Sequence, residues 1–443
     1  MVTESHENKP IHHVAILSGG GIAVLHQLVK LVFNTALTNL HPFDLYSGGM
    51  IADSGSTYSI ALLQKMSPED VFKLFIQMAP EAMPGTRFLA TQTINNSSRF
   101  TPEHIHSTLQ KILGNTKLDD LPHGLSIGIL GLEEKNKNQL SERIMVVPDL
   151  KTGKKYYPQG SSPELELVNI VIAATSIPTI NKPVEITGKD GTFCDPTIDQ
   201  NPLFYGQELR RRNPDANIEM VCIGGFSPSR KKLQDLFGTS PAHKFQSWIK
   251  GIARQAYIQS ESHQLLETVL GIPVRNFETE IDIDDANHPR FNPIDSSPKQ
   301  LRLLCEVAIK DIETRRKEYL QHANELVKSY KIRHEMPQTD NLCDSDFDAA
   351  LSKVIEICET ALNQITNTPD TSLRQSPANS NKPQRPEYLS EIFTRQMATT
   401  ALEIFSAWQK VAQNLLRPPT ENSKTLQPIE LKKQPHPTTK RLG

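Results

Sequence analysis

Paired cysteines are missing: the five in this 443-residue chain (Cys194, Cys222, Cys305, Cys343 and Cys358) are scattered, odd in number and never at CxxC spacing. This excludes a disulfide framework and leaves packing cysteines in a reducing compartment as the expectation. An excess of one charge is missing too. Lys and Arg number 48 against 50 Asp and Glu, a formal net charge of −2, so no global field draws the chain to nucleic acid or to an anionic membrane. No run approaches the roughly 18 apolar residues of a membrane span. The opening "MVTESHENKPIHH" is polar and acidic before it turns apolar, unlike a signal peptide, so a cytoplasmic protein is expected, or one exported without a cleavable signal. Of the 14 histidines, His12-His13 and the alternating His104 and His106 have no cysteine or carboxylate partners at metal-ligand spacing. Neither a metal nor another cofactor is expected.

From residue 11 to about 240, short apolar runs alternate with helical stretches. "HHVAILSGGG" reads as a buried strand ending in glycines, and the helix after it places Val24, Leu25, Leu28, Leu31, Val32 and Leu37 on one face. "HPFDLYS" reads as a second short strand, and Ser67 with Pro68 opens a helix through "MSPEDVFKLFIQMAP". "LSIGILGLEE" and "SERIMVVPDLKTGKKYYPQG" read as strands, with a turn around Lys151–Gly153. "ELVNIVIAATSIP" is a helix, "KPVEITGKDGTFCDP" a hairpin through "GKDG", and "NIEMVCIGGF" another buried strand. The alternation predicts an α/β fold with a largely parallel sheet and helices on both faces.

Beyond residue 240 the chain reads as mostly helical, with Phe245, Trp248, Ile249, Ile252 and Ala256 lining one face. Leu301, Leu304, Cys305, Ala308 and Ile312 do so in the long stretch from "SPKQLRLL" to "ELVKSYK", and a further helix runs through "SDFDAALSKVIEICETALNQI". The expected organisation is a flexible N-terminus at 1–10, a main domain over 11–330, a helical extension at 331–365 and a linker at 366–386. A C-terminal helix at 387–416 and a disordered tail at 417–443 follow. In that helix Phe393, Met397, Ala401, Phe405 and Trp408 form a stripe, which finishes a core or meets a protein partner or a membrane surface. The tail holds six Lys and Arg against two Glu, a net of +4 that favours peripheral contact with an anionic membrane.

Three features carry chemistry. "LSGGGI" puts Gly19, Gly20 and Gly21 between a strand and a helix N-terminus, where backbone N–H groups can face an anion or a developing oxyanion. The spacing fits neither a dinucleotide fingerprint nor a P-loop. "GTFCDPTIDQNP" puts Asp195 just after a hairpin strand, either as the base of a serine–acid dyad or as a turn cap before proline, with Asp199 a second acid nearby. "FDLYSGGMIADSGSTYSIAL" (43–62) has the outline of strand, tight turn and helix, yet none of its serines has glycine two residues before it and two after.

The order of these parts resembles the patatin-like phospholipase family. Five short stretches carry the resemblance: "LSGGGI" (17–22), "FDLYSGG" (43–49), "SPEDVFKLF" (67–75), "AATSIPTI" (173–180) and "DPTIDQNPLFYGQELRRRNPDANIEMVCIGG" (195–225). The resemblance spans roughly three-quarters of the chain. It implies a patatin-like α/β fold and hydrolysis of phospholipid or other acyl esters through a Ser–Asp dyad without a metal. In that reading Asp195 is the base and Gly19–Gly21 hold the oxyanion. Patatin-like proteins of the bacterial effector type often carry a helical extension such as the one expected here.

The departures fall at the catalytic positions. Where the family has a basic residue and a glycine after the first loop, this chain has Ala23 and Val24; after Asp195, two glycines are replaced by Pro196 and Thr197. Aligning "FDL" without gaps puts Met50 at the nucleophile, and aligning "SIAL" puts Gly55 there. A one-residue adjustment gives Ala52-Asp53-Ser54-Gly55-Ser56, in which Ala52 and Ser56 stand for the elbow glycines. Ser54 is therefore the first candidate nucleophile, Ser56 the second and Ser47 the third. Asp53 places a negative charge beside a developing oxyanion, which counts against activity. Two readings follow: an active phospholipase A or lysophospholipase, and a catalytically inactive pseudo-lipase whose fold serves as a lipid- or protein-binding module. A histidine-triad hydrolase fits less well, since neither His243 nor His288 sits in a convincing late strand-to-helix loop.

Overall fold

The run "IHHVAIL" becomes β1 (Ile11–Leu17), the strand at which the order of a parallel sheet reverses. The computed structural model describes residues 9–17, 23–52, 55–82, 103–121, 123–131, 142–158, 160–176, 184–189, 191–195, 201–224, 226–228, 263–281, 296–338 and 341–366. The chain divides into two units, residues 1–376 and 377–443, and all the described residues belong to the first. Residues 367–386 of the expected linker, the helix at 387–416, the tail, and the apolar face from Phe245 to Ala256 lie outside the described residues.

In the sheet, β1 is flanked by β2 (Gly49–Ala52) and β8 (Asn217–Cys222), and both pairings are parallel. Outside β8 runs β10 (Val274–Asn276), and outside β2 runs β3 (Leu125–Gly131), again parallel. Two antiparallel strands, β4 (Glu142–Pro148) and β5 (Lys155–Tyr156), close that edge through the hairpin expected at 151–153, where Gly153 takes a φ of +71°. The second expected hairpin pairs β6 (Val184–Glu185) with β7 (Thr192–Cys194), and β7 docks antiparallel on the end of β3. A short parallel pair joins β9 (Phe226–Pro228) to β11 (Thr279–Ile281). Successive residues of the inner strands face opposite layers, so both faces must be covered. Val14, Ile16, Ile51, Met220 and Cys222 pack under Tyr205 and Leu209 of α7 (Asn201–Arg212), while Ala15, Leu17, Met50, Ala52 and Val221 face the larger core under α1 (Val24–Thr38).

The strand expected at "HPFDLYS" is a correction. Residues Pro42–Leu45 form a single helical turn, α2, because His41 accepts the Phe43 N–H and Pro42 pre-sets the first helical φ. The strand lies later, in "GMIA", and Gly48-Gly49 makes the turn into it. Gly49 has a φ of +120°, and a Cβ there would stand 2.2 Å from the Tyr205 hydroxyl, which donates to the Gly48 carbonyl at 2.7 Å. These two glycines serve the turn beneath Tyr205. Tyr205→Phe removes that donor from the buried Gly48 carbonyl, and the expected cost is about 0.5–1.5 kcal/mol, read as a lower urea midpoint at unchanged m-value.

The helices after β2 are α3 (Ser56–Leu63), α4 (Pro68–Ala82), α5 (Glu103–Leu113) and α6 (Leu167–Thr175). Ser67 opens α4 as its sequence position suggests: its hydroxyl accepts the Asp70 N–H at 3.1 Å and donates to the Asp70 carboxylate at 2.7 Å. The long helical stretch after residue 297 is two helices, α8 (Pro298–Thr314) and α9 (Arg316–Arg333). The break falls at Arg315 (φ −103°, ψ 27°), whose guanidinium reaches the Asn276 carbonyl at 2.7 Å and lies over the Phe277 ring. The second helix can then present Tyr319, His322, Ala323 and Leu326 to the interior. α10 (Asp344–Thr366) buries Phe347, Val354 and Leu362 in the same core as α1 and α8, with the Phe347 ring edge-on to Phe33. Cys222, Cys305 and Cys358 are buried and in no disulfide, as packing cysteines should be, and Cys343 is exposed. Among the described residues no helix is long and apolar enough to cross a membrane.

Candidate active site

Two parallel strands end side by side at the site. Leu17 closes β1 and pairs with Ala52, which closes β2. In an open α/β sheet, ligands bind beyond the carboxyl ends of the strands where the order reverses, which here is β1. The candidate oxyanion residues Gly19, Gly20 and Gly21 follow Leu17, and Asp53 and Ser54 follow Ala52; all five lie outside the described residues. What is described is the frame around them. β2 stops at Ala52 and α3 starts at Ser56, so Ser54 belongs to the three residues that connect strand to helix.

The frame bears on the substituted elbow positions. Ala52 and Ser56 are both fully buried, and neither has a positive φ, so no backbone conformation there requires glycine. The Ser56 hydroxyl donates to Gln27 Oε1 at 2.8 Å, which ties the first turn of α3 to the first turn of α1, the two helices that leave the candidate loops. That bond engages Ser56 in structure. Ser47 stands before β2, at the amino end of the strand, 3.3 Å from His12 Nδ1. One further serine does have the spacing of an elbow, in Gly124-Leu-Ser126-Ile-Gly128. The spacing alone makes it a candidate, and the fold disqualifies it: Ser126 is buried mid-ladder in β3 between Ile51 and Met145, with no strand-to-helix turn to expose it.

Asp195 is 2% exposed, and its N–H donates to the Ser176 carbonyl at 2.9 Å. Ser176 stops α6 and donates its hydroxyl to the Ile172 carbonyl at 2.7 Å, so the "AATSIP" segment anchors the chain that carries the acid. The register fixes its height. Cys194 lies opposite Leu130 in an antiparallel pair, so the next residue runs back to the level of Ile129. Ile127 is level with Ala52, which leaves Asp195 about 7 Å beyond the end of β2 along the strand direction. The second acid, Asp199, lies outside the described residues.

Behind this end of the sheet, α1 is buried on nearly every side, polar residues included. Lys30 Nζ pairs with Asp311 at 2.8 Å and also donates to Thr279 Oγ1 at 3.2 Å and to the Phe277 carbonyl. His26 Nε2 lies 2.8 Å from the same Thr279 hydroxyl. Burial pushes the Lys30 ammonium down to about 8 against the pull of Asp311, and burial, with Lys30 beside it, holds His26 well below the ordinary imidazole range. The sequence signal for this cluster is His26, Gln27, Lys30 and Asn34 interleaved with the apolar residues of one helix.

Residues 16–201 match the family model described as patatin-like phospholipase, a span that takes in the glycine loop, the strand-to-helix connection and Asp195. No curated protein matches the chain. Among solved structures, the heterodimeric ExoU–SpcU complex from the type III secretion system of Pseudomonas aeruginosa is similar over 82% of this chain and 68% of its own, at 16% identity and a TM-score of 0.25.

Proposed function

Residues 16–201 of this chain belong to the patatin-like phospholipase family, and from that premise we propose that the protein is a lipid acyl hydrolase with Ser54 as nucleophile and Asp195 as base. Ser54 Oγ attacks the ester carbonyl carbon while its proton passes to the Asp195 carboxylate. N–H groups of the Gly19–Gly21 loop hold the oxyanion. Collapse breaks the ester bond, and the departing alkoxide takes the proton back from Asp195. Water, deprotonated by the same carboxylate, then releases the fatty acid. The observation that carries this reading is the buried Asp195 at the carboxyl end of the sheet, beyond the end of β2 from which the chain passes to Ser54. The absence of positive φ at Ala52 and Ser56 supports it, because the elbow can then form without its two glycines. Substrate esters sit in lipid aggregates, so the enzyme works at a membrane surface, and the apolar stripe from Phe393 to Trp408 with the basic tail is the segment proposed to meet it.

A fluorophosphonate probe tests the assignment, because it reacts only with an activated serine. Wild-type protein with mixed phosphatidylcholine and phosphatidylserine vesicles is expected to label at one site. Labelling should vanish in Ser54→Ala and slow sharply in Asp195→Asn. If folded wild-type protein stays unlabelled with vesicles present, hydrolysis is refuted and the lipid- or protein-binding module takes its place. Labelling that survives Ser54→Ala refutes the nucleophile.

A further inference from the structure

At the opposite end of the sheet, three strands and α9 bring a second set of chemical groups together. His13 on β1 pairs in register with Glu219 on β8, both near the amino ends of their strands and about 13 Å from the Leu17 end of β1. Over them lies α9, with His322 and Glu325 one turn apart on one face. One ligand atom each from Glu219, His322 and Glu325 lie within 4.8 Å of one another. His322 is 1% exposed, and among the described residues neither of its ring nitrogens has a hydrogen-bond partner. Glu219 Oε2 and both nitrogens of the buried His13 also lack an aligned hydrogen bond, although His13 Nδ1 and Glu219 Oε2 approach to 3.0 Å. Native interiors leave few such groups, and several in one place call for a ligand.

We infer that Glu219, His322 and Glu325 bind a divalent transition-metal ion, with zinc the best match to the donors, and that the ion fastens α9 to the amino ends of β1 and β8. Two carboxylate oxygens and an imidazole nitrogen suit zinc better than magnesium or calcium, which prefer all-oxygen sites. Zinc bonds of about 2.0–2.2 Å in a tetrahedron put ligands roughly 3.4 Å apart, so the three side chains close by about an ångström to bind it. His13 sits where an outer partner would orient the Glu219 carboxylate. The competitor is Arg275 on the edge strand β10. Its guanidinium donates to Glu219 Oε1 at 3.1 Å and to Glu325 Oε2, and its side chain is 26% exposed, so it has solvent to move into. The guanidinium and the ion compete for the same two carboxylates. Metal-ligand spacing along the chain misses the cluster, because its residues stand at 13, 219, 275, 322 and 325.

The test uses the full chain, stripped with a chelator and titrated with zinc against a chromogenic competitor, with Co²⁺ absorption to report nitrogen and oxygen ligation. Wild-type protein is expected to take up one equivalent. His322→Gln and Glu325→Gln should each weaken binding by about 100-fold or more, while Arg275→Gln, which keeps every ligand, should tighten it by about tenfold. Uptake that is absent in wild-type protein, or that stays the same in His322→Gln because another group such as the exposed Cys343 thiol holds the ion, overturns the site. If the ligand variants do not fold, Arg275→Gln still decides: unchanged or weaker zinc binding in that variant refutes the competition on which the site rests.

Discussion

Asp195→Asn is expected to slow ester hydrolysis by about 10³–10⁴-fold, near the upper end of what one general base supplies. The amide keeps the shape of the carboxyl group, and the backbone N–H that binds the Ser176 carbonyl is untouched, so the loop that carries residue 195 stays anchored. What is lost is a proton acceptor. In a dyad the same carboxylate serves acylation and deacylation, so both steps slow, and turnover drops by about 4–5.5 kcal/mol of transition-state stabilisation. KM should change little, because in the proposed dyad Asp195 would meet a proton in transit and not the bound acyl chain. The double variant with Ser54→Ala should be no slower than Ser54→Ala alone, since two residues that act as a unit cannot be removed twice. A fluorogenic phospholipid in mixed micelles reads all three variants. An Asp195→Asn enzyme that retains a tenth of wild-type turnover would move the base elsewhere, with Asp199 the next to replace.

The frame of the site was more legible in the sequence than its chemistry. β1, α1, the two hairpins and β8 follow from apolar runs and turn residues, because parallel strands buried on both faces leave a continuous apolar trace. "FDL" misled because a proline at the first helical position and a histidine cap act within four residues, a scale on which an apolar tripeptide reads equally well as strand. That shift matters to the site. With the strand at Gly49–Ala52, Gly49 is explained by the Tyr205 hydroxyl and Gly48 by its close approach to Val14 and the His13 carbonyl, and the elbow alignment that relied on the pair is no longer needed. The break at Arg315 had no local signal, since it depends on Asn276 and Phe277, about forty residues earlier. The Ser56–Gln27 bond and the Lys30 cluster were hidden for the same reason: each joins residues far apart in the chain on a helix whose pattern otherwise reads as plain core.

Lys30→Met is expected to destabilise the fold by about 3–5 kcal/mol, the usual penalty for removing one partner of a buried ion pair. Lys30 is fully buried and Asp311 nearly so; once the ammonium is gone, the carboxylate loses its ion-pair partner and keeps the Tyr319 hydroxyl, at 3.0 Å, with the Arg315 charge nearby. The reverse change should cost less. In Asp311→Asn the lysine can shed its proton, and burial has already brought its pKa down to about 8. Removing both charges in Lys30→Met with Asp311→Leu should recover most of the loss. The pH dependence separates this from simple packing. A lysine at about 8 in the folded chain and near 10.4 when unfolded leaves the unfolded state holding more protons between those values, so this group's contribution to stability rises with pH across that window. Between pH 8 and 9.5 the gain is on the order of 1–2 kcal/mol. Thiols act in the opposite sense there: the hydrogen bond to Cys358 and burial push Cys305 up, so unfolded cysteines ionise first. That effect is common to wild-type and Lys30→Met proteins, and the difference between their unfolding free energies isolates the lysine. The deficit of Lys30→Met should therefore widen, by on the order of 1–2 kcal/mol, from pH 8 to 9.5 in paired urea titrations. A deficit that stays constant or narrows would mean that Lys30 is not held near 8 and that its buried pairing with Asp311 keeps it charged throughout.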